Sequence, residues 1–141
     1  MKLPQAAYLE IRRHGEQTYP DESCGVLLGT SSSAPHEARE AIRCRNVHAT
    51  PRTNYEIDLR EVVGLQREAR ERGLEIVGFY HSHPDHAAQP SPTDLEQALW
   101  IGYSYLITSV EQGKATQTRS FLLTGTMDRD KALVEETVEV S

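Results

Sequence analysis

Residues 74–98 read LEIVGFYHSHPDHAAQPSPTDLEQA, and this one stretch ties a strand to a helix. The apolar run LEIVGFYH (74–81) has the length and the β-branched and aromatic content of a buried strand. Pro84, Pro90 and Pro92 restrict the backbone after it and mark a chain reversal. Ser91 as N-cap, Pro92 at the first helical position and Asp94 two residues on then open a helix, predicted to run to Gly102. Working outward, YSYLITSV (103–110) is a second strand. Upstream, Asp58 caps a helix whose Leu59, Val62, Val63, Gln66 and Ala69 share a face, and Gly73 ends it. YEID (55–58), CGVLLGT (24–30) and EAREAIRCRNV (37–47) read as further strands, with SSSAPH (31–36) as a turn.

The ends follow the same rules. Ala7, Tyr8 and Ile11 recur at helical spacing, so a first helix is expected from Pro4 to about Glu16, ending near Gly15. ATQTRSFLLTG and KALVEETVEV add one or two more strands, or a strand and a helix. Strands alternating with helices predict an α/β sandwich, and 141 residues suit a single domain over 1–141.

Composition narrows the function. The net charge of −6 and the dispersed arginines exclude the basic stripe that a nucleic-acid partner requires. No apolar run approaches the ~20 residues of a membrane helix, and the N-terminus lacks the apolar core of a signal peptide. Without an export signal, Cys24 and Cys44 are expected as reduced thiols, which places the chain in the cytoplasm.

His81 and His83 point to one side if the strand stays extended to residue 83. Two imidazoles there can bind one ion, since zinc accepts His nitrogen at about 2.0–2.1 Å. The helix after the reversal can return Asp94 as a third ligand, leaving a fourth position for water. Each residue also has a bland reading. An H-x-H pair is commonly solvated, and Ser91 with Asp94 makes a capping box that needs no metal. The spacing leaves both open. Glu22, directly before the strand at 24–30, weighs toward the metal: if that strand lies beside LEIVGFYH, the carboxylate reaches the edge where the histidines emerge. There it could exchange protons with water and with a leaving amine.

Glu22, His81-Ser82-His83, Ser91 and Asp94 together resemble the JAMM family of zinc metallopeptidases, the catalytic MPN-plus domains. That motif is an upstream glutamate, H-[ST]-H, seven residues, Ser, two residues and Asp, and every position is filled here. The flanks DESCGVLLG and GFYHSHPDHAAQPSPTDLEQA look like the small stand-alone bacterial members, over about residues 3–125. The resemblance implies a cytidine-deaminase-like α/β/α sandwich, a mixed sheet flanked by helices. It implies one Zn²⁺ per chain on His81, His83 and Asp94, Glu22 as general base and acid, and Ser91 as a donor to the oxyanion.

It further implies hydrolysis of an amide bond after the Gly-Gly C-terminus of a ubiquitin-like sulfur-carrier protein. The rivals are a zinc peptidase for other peptides or peptidoglycan-type bonds, and a non-catalytic MPN scaffold, against which the full ligand set argues. A zinc nucleobase deaminase is set aside because the chain has no C-x-x-C. Among the remaining residues, His86 is expected at the solvated rim and His14, His36 and His48 on the surface. Cys24, Trp100, Tyr103 and Tyr105 are expected to pack the core, Ser82 to face away from the site, and REARERG (67–73) to be solvated.

Overall fold

Six strands form one mixed sheet in the computed structural model, which describes residues 1–31 and 33–141. In chain order the elements are β1 (Lys2–Leu3), α1 (Gln5–Thr18), β2 (Cys24–Gly29), β3 (Ala38–Cys44), α2 (Leu59–Glu71), β4 (Glu75–Pro84), α3 (Pro92–Gln97), β5 (Ser104–Glu111), β6 (Lys114–Thr124), β7 (Ala132–Glu136) and β8 (Glu139–Val140). The sheet order is β3-β2-β4-β5-β6-β7. Only the β4–β5 pair is parallel, and β1 and β8 form a small separate parallel pair.

Apolar residues cover both faces of the sheet. Ala7 and Ile11 of α1 pack with Leu27, Val77, Tyr80 and Leu106 on one side. Val62 and Ala69 of α2 pack with Val26, Leu28, Ile76, Phe79 and Tyr105 on the other. The result is the three-layer α/β/α sandwich expected from the sequence. A bulge sets the phase of β4: Leu27 pairs with Gly78 but Leu28 pairs with Ile76, so Val77 is the extra residue. Beyond it, Phe79, His81 and His83 alternate with Tyr80 and Ser82, which puts both histidines on the α2 face.

Several boundaries differ from expectation for physical reasons. β4 runs to Pro84 rather than stopping at His81, because β5 continues beside it through His83↔Ser109 and Pro84↔Val110. α1 passes Gly15 and ends at Thr18. Gly15 is a contact point rather than a stop: a Cβ there would lie 2.9 Å from Val110 Cγ2 and 3.3 Å from Ser82 Cβ. α3 ends at Gln97 and not Gly102. Trp100 turns away into edge contacts with Phe79 and Tyr103, its backbone N–H donates to Tyr105 Oη, and Lys131 Nζ caps the carbonyls of Glu96 and Ala98.

YEID is not a strand. Glu56 N–H donates to the Asn46 side chain, and this segment meets the chain at Val47 through one backbone bond, without building a ladder. On α2 the buried face is Val62, partly buried Leu65 and Ala69, while Leu59 and Val63 are exposed. Gly73, at φ 71°, closes that helix as predicted. The tail forms β6, β7 and β8 and no helix. The turn expected at 31–36 includes Ser32, which lies outside the described residues. Among the described residues, no helix is long and apolar enough to cross a membrane.

Candidate metal centre

The end of β4 and the start of α3 bring His81, His83 and Asp94 together, one ligand-type atom from each lying within 4.8 Å of the others. His81 Nε2 lies 3.2 Å from His83 Nε2. Asp94 Oδ2 is 2.9 Å from His83 Nε2, and Asp94 Oδ1 is 3.3 Å from His81 Nε2. Two ligand atoms each about 2.05 Å from one ion, at a tetrahedral angle, would lie about 3.3 Å apart. The spacing therefore fits a small divalent cation with nitrogen and oxygen ligands.

The proton positions agree with that fit. His83 Nδ1 lies 2.8 Å from the Ala87 carbonyl, which can only accept, so the neutral ring carries its proton on Nδ1 and turns the Nε2 lone pair toward the cluster. Burial lowers the His81 pKa. Burial would lower His83 as well, but its contacts to Asp94 and the Ala87 carbonyl outweigh burial and hold it above its ordinary value. Burial likewise works against the Asp94 carboxylate, yet the two imidazoles and the Ser91 N–H hold Asp94 well below the usual carboxylate range.

Ser91 and Asp94 form a capping box: Ser91 Oγ accepts from Asp94 N–H at 3.0 Å, and Ser91 N–H donates to Asp94 Oδ2 at 2.9 Å. The cap and the cluster are thus the same structure, and the helix start is what aims the carboxylate. Capping uses a lone pair of Ser91 Oγ and leaves its O–H able to donate.

Glu22 precedes β2, and the register Cys24↔His81 carried two residues outward sets it opposite His83. Its side chain is buried and its Oε1 has no hydrogen-bond partner among the described residues. Burial pushes its carboxyl up to about 8, with His83 pulling it down and Asp94 adding to the rise. A carboxyl in that range can exchange protons near neutral pH. Ser82 faces the other way, where its Oγ accepts from Ser23 N–H at 2.8 Å and ties the residue after Glu22 to β4.

Two residues near the site escape the sequence reading. Tyr55 stacks on His81 with ring centroids 4.3 Å apart and planes 21° from parallel. It also lines an apolar cleft of about 460 Å³ with Ile57, Leu59, Val62, Phe79 and Trp100. Asn46 hydrogen-bonds the backbone of Glu22 and of both neighbours of Tyr55. Neither has a period or motif that marks it; an Asn followed by irregular sequence is the only signal.

The other histidines divide. His86 is exposed at the rim and His48 is half-buried. His14 and His36 are buried, against expectation, because each has a distant partner: Tyr80 Oη at 2.7 Å for His14 and Ser104 Oγ at 2.9 Å for His36. Cys24 and Cys44 are free, buried and opposite one another in β2 and β3. Trp100, Tyr103 and Tyr105 pack against Phe79 as expected.

Residues 4–124 match the family described as prokaryotic homologs of the JAB domain. The chain is 46% identical over 90 residues to a desampylase of Haloferax volcanii, covering 64% of this chain and 63% of that protein. It is 34% identical over 102 residues to a probable TtuB-protein conjugate cleaving protease of Thermus thermophilus, covering 70% and 63%. With a CysO-cysteine peptidase of Mycobacterium tuberculosis it shares 32% over 127 residues, covering 90% and 82%. The chain thus spans 63% of the length of the first two relatives. A solution structure of a protein from Desulfitobacterium hafniense superposes with a TM-score of 0.84 at 28% identity, covering 99% of this chain and 92% of that one. A JAB1/MPN domain protein from Archaeoglobus fulgidus, 18% identical and covering 99% and 98%, shares the fold with a TM-score of 0.62.

Proposed function

Taking as premise that this chain belongs to the family of prokaryotic homologs of the JAB domain, we propose that it is a zinc-dependent peptidase or isopeptidase. Its substrate is a ubiquitin-like sulfur-carrier protein, cut at the amide bond that follows a Gly-Gly C-terminus. The observation that carries the reading is the convergence of His81 Nε2, His83 Nε2 and the Asp94 carboxylate at tetrahedral spacing beside the buried carboxyl of Glu22. The relatives named desampylase, TtuB-protein conjugate cleaving protease and CysO-cysteine peptidase support the substrate class. The catalytic unit takes in residues 1–141 as one domain and acts in the cytoplasm.

His81, His83 and Asp94 hold one zinc, which when bound supplies Lewis acidity and makes water a stronger acid. Glu22 takes a proton from the attacking water and returns it to the leaving nitrogen, a role suited to a carboxyl raised by burial. The Ser91 O–H donates to the oxyanion as the amide carbon becomes tetrahedral, while its lone pair keeps the cap on α3. A Gly-Gly tail suits the buried centre because it brings no side chains to clash there.

The test is a mass-spectrometric cleavage assay on a sulfur carrier extended past its Gly-Gly end by one cysteine or a short peptide. The expected result is a cut after the second glycine, lost with a chelator and in Glu22→Gln. Uncut carrier in the presence of zinc-loaded protein would sink the substrate assignment, and chelator-insensitive cleavage would sink the metal.

A further inference from the structure

The two imidazoles of the centre are oriented in different ways. His83 donates from Nδ1 to a backbone carbonyl, the usual arrangement for a metal-binding histidine. His81 Nδ1 is buried and has no hydrogen-bond partner among the described residues. Apart from its Nε2 contacts to Asp94 and His83, the His81 ring rests on the face of Tyr55, with centroids 4.3 Å apart and planes 21° from parallel. Tyr55 belongs to no helix or strand, so something else must fix it in turn.

Asn46 sits where that support is needed. Its Nδ2 donates to the Asn54 carbonyl at 3.0 Å and its Oδ1 accepts from Glu56 N–H at 3.1 Å, bracketing Tyr55 on both sides. Nδ2 also donates to the Glu22 carbonyl at 3.1 Å, and Oδ1 also accepts from His48 N–H at 3.1 Å. Both donor hydrogens and both acceptor sites of the amide are thereby used. No other residue type has two donors and two acceptors on so short a side chain.

We propose that Asn46 is a positioning residue for the metal centre, which acts by holding Tyr55 against His81 and so aiming His81 Nε2. The inference rests on His81, His83 and Asp94 being zinc ligands. It adds that an amide on the segment after β3, outside the His81–His83–Asp94 cluster and bonded only to backbone groups, sets the affinity of the site.

The experiment is a zinc titration of the full chain against a chromophoric chelator, repeated with Co²⁺ to follow the visible absorption of the bound ion. Tyr55→Phe, which keeps the ring, is expected to bind within about twofold of the parent. Tyr55→Leu and Asn46→Asp are each expected to bind about 10-fold or more weakly, with an altered Co²⁺ band, since outer-shell changes typically cost 10–100-fold. The Asn46→Asp/Tyr55→Leu double variant should bind no more weakly than Tyr55→Leu alone, because both changes cut one chain of contacts. Should Asn46→Asp fail to fold, Asn46→Ser carries the same expectation. Parent-like affinity in Tyr55→Leu, an equal loss in Tyr55→Phe, or additive losses in the double variant would each overturn the proposal. A parent that binds no zinc would overturn the ligand reading itself, whereas a tight-binding parent with unaffected variants overturns only the positioning role.

Discussion

Two buried clusters of histidine, serine and carboxylate lie toward opposite ends of the sheet, and they are built from the same chemistry to opposite effect. At the start of β5, Ser104 Oγ pairs with His36 Nδ1 at 2.9 Å and donates to Glu136 Oε2 at 2.6 Å, where Ser120 Oγ also donates at 2.7 Å. Hydroxyl donors meet a carboxylate acceptor, and β5, β6 and β7 are joined through one side chain. At the end of β4, His81 Nε2 and His83 Nε2 both face the Asp94 carboxylate and each other, while Glu22 Oε1 and His81 Nδ1 have no partner among the described residues. Buried polar groups cost stability unless paired, so a cluster that matches donors to acceptors is a rivet. One that gathers two ring nitrogens and a carboxylate about a common point, and leaves buried polar atoms unpaired beside them, gives up stability and is suited to a cation. The difference lies in how the groups are arranged and paired, since the residue types are nearly the same.

The comparison breaks first, and by the largest effect, at Glu22. Glu22→Gln keeps the shape of the side chain and removes its proton exchange, so activity on an extended carrier should fall about 10²–10⁴-fold. Zinc stoichiometry, measured by elemental analysis, should stay at one per chain. A variant that loses its metal would make Glu22 a ligand rather than a proton carrier.

The opposite end should respond the other way round. Glu136→Ala leaves the buried Ser104 and Ser120 hydroxyls without their acceptor. At about 1–3 kcal/mol for each stranded group, urea unfolding should show a loss of about 3 kcal/mol. Zinc affinity should not change, and a shift of more than about threefold would mean that the two ends are coupled.

Zinc itself sharpens the contrast. Free zinc at about 100 times its dissociation constant should stabilise the folded parent by about 2.7 kcal/mol. The gain should vanish in Asp94→Ala and persist in Glu136→Ala, read as the shift in thermal midpoint on adding the ion. A gain of equal size in Asp94→Ala would place the stabilising ion elsewhere.

The legible parts of this molecule are those governed by local rules. The alternation of a strand puts His81 and His83 on one face, and Ser91, Pro92 and Asp94 mark a helix start, so the cluster can be read from spacing once both elements are recognised. The composite pattern with Glu22 supplies the family, which no single element does. What local rules miss depends on distant partners. His14 and His36 look like surface histidines until Tyr80 and Ser104, 66 and 68 residues away, accept them into the interior. Tyr55 looks like part of a strand because it and Ile57 have strand propensity, yet an Asn side chain holds the segment in place of a ladder. The helix expected to reach Gly102 stops at Gln97 because burying Trp100 among Phe79 and Tyr103 outweighs another helical turn.

His14 offers the finest test, because it is a fourth buried histidine and belongs to neither cluster. Its Nδ1 meets Tyr80 Oη at 2.7 Å, and burial, aided by the charge of Arg43 and opposed by Glu10, lowers its pKa from 6.5 to about 4. The folded protein thus disfavours the imidazolium, and as pH falls through 6.5 the unfolded chain takes up the proton first. The contribution to stability is complete above that pH. It declines as pH falls toward about 4, where the folded protein is protonated too. Between pH 7 and pH 5 the loss should be about 1 kcal/mol, after allowing for partial solvent screening. Urea unfolding of the parent and of His14→Gln at both pH values isolates it, since every other titrating group is common to the two proteins. The parent should lose more stability than the variant by that amount. Equal losses would mean that His14 is as easily protonated inside the protein as outside it, and that the Tyr80 contact tolerates the charge.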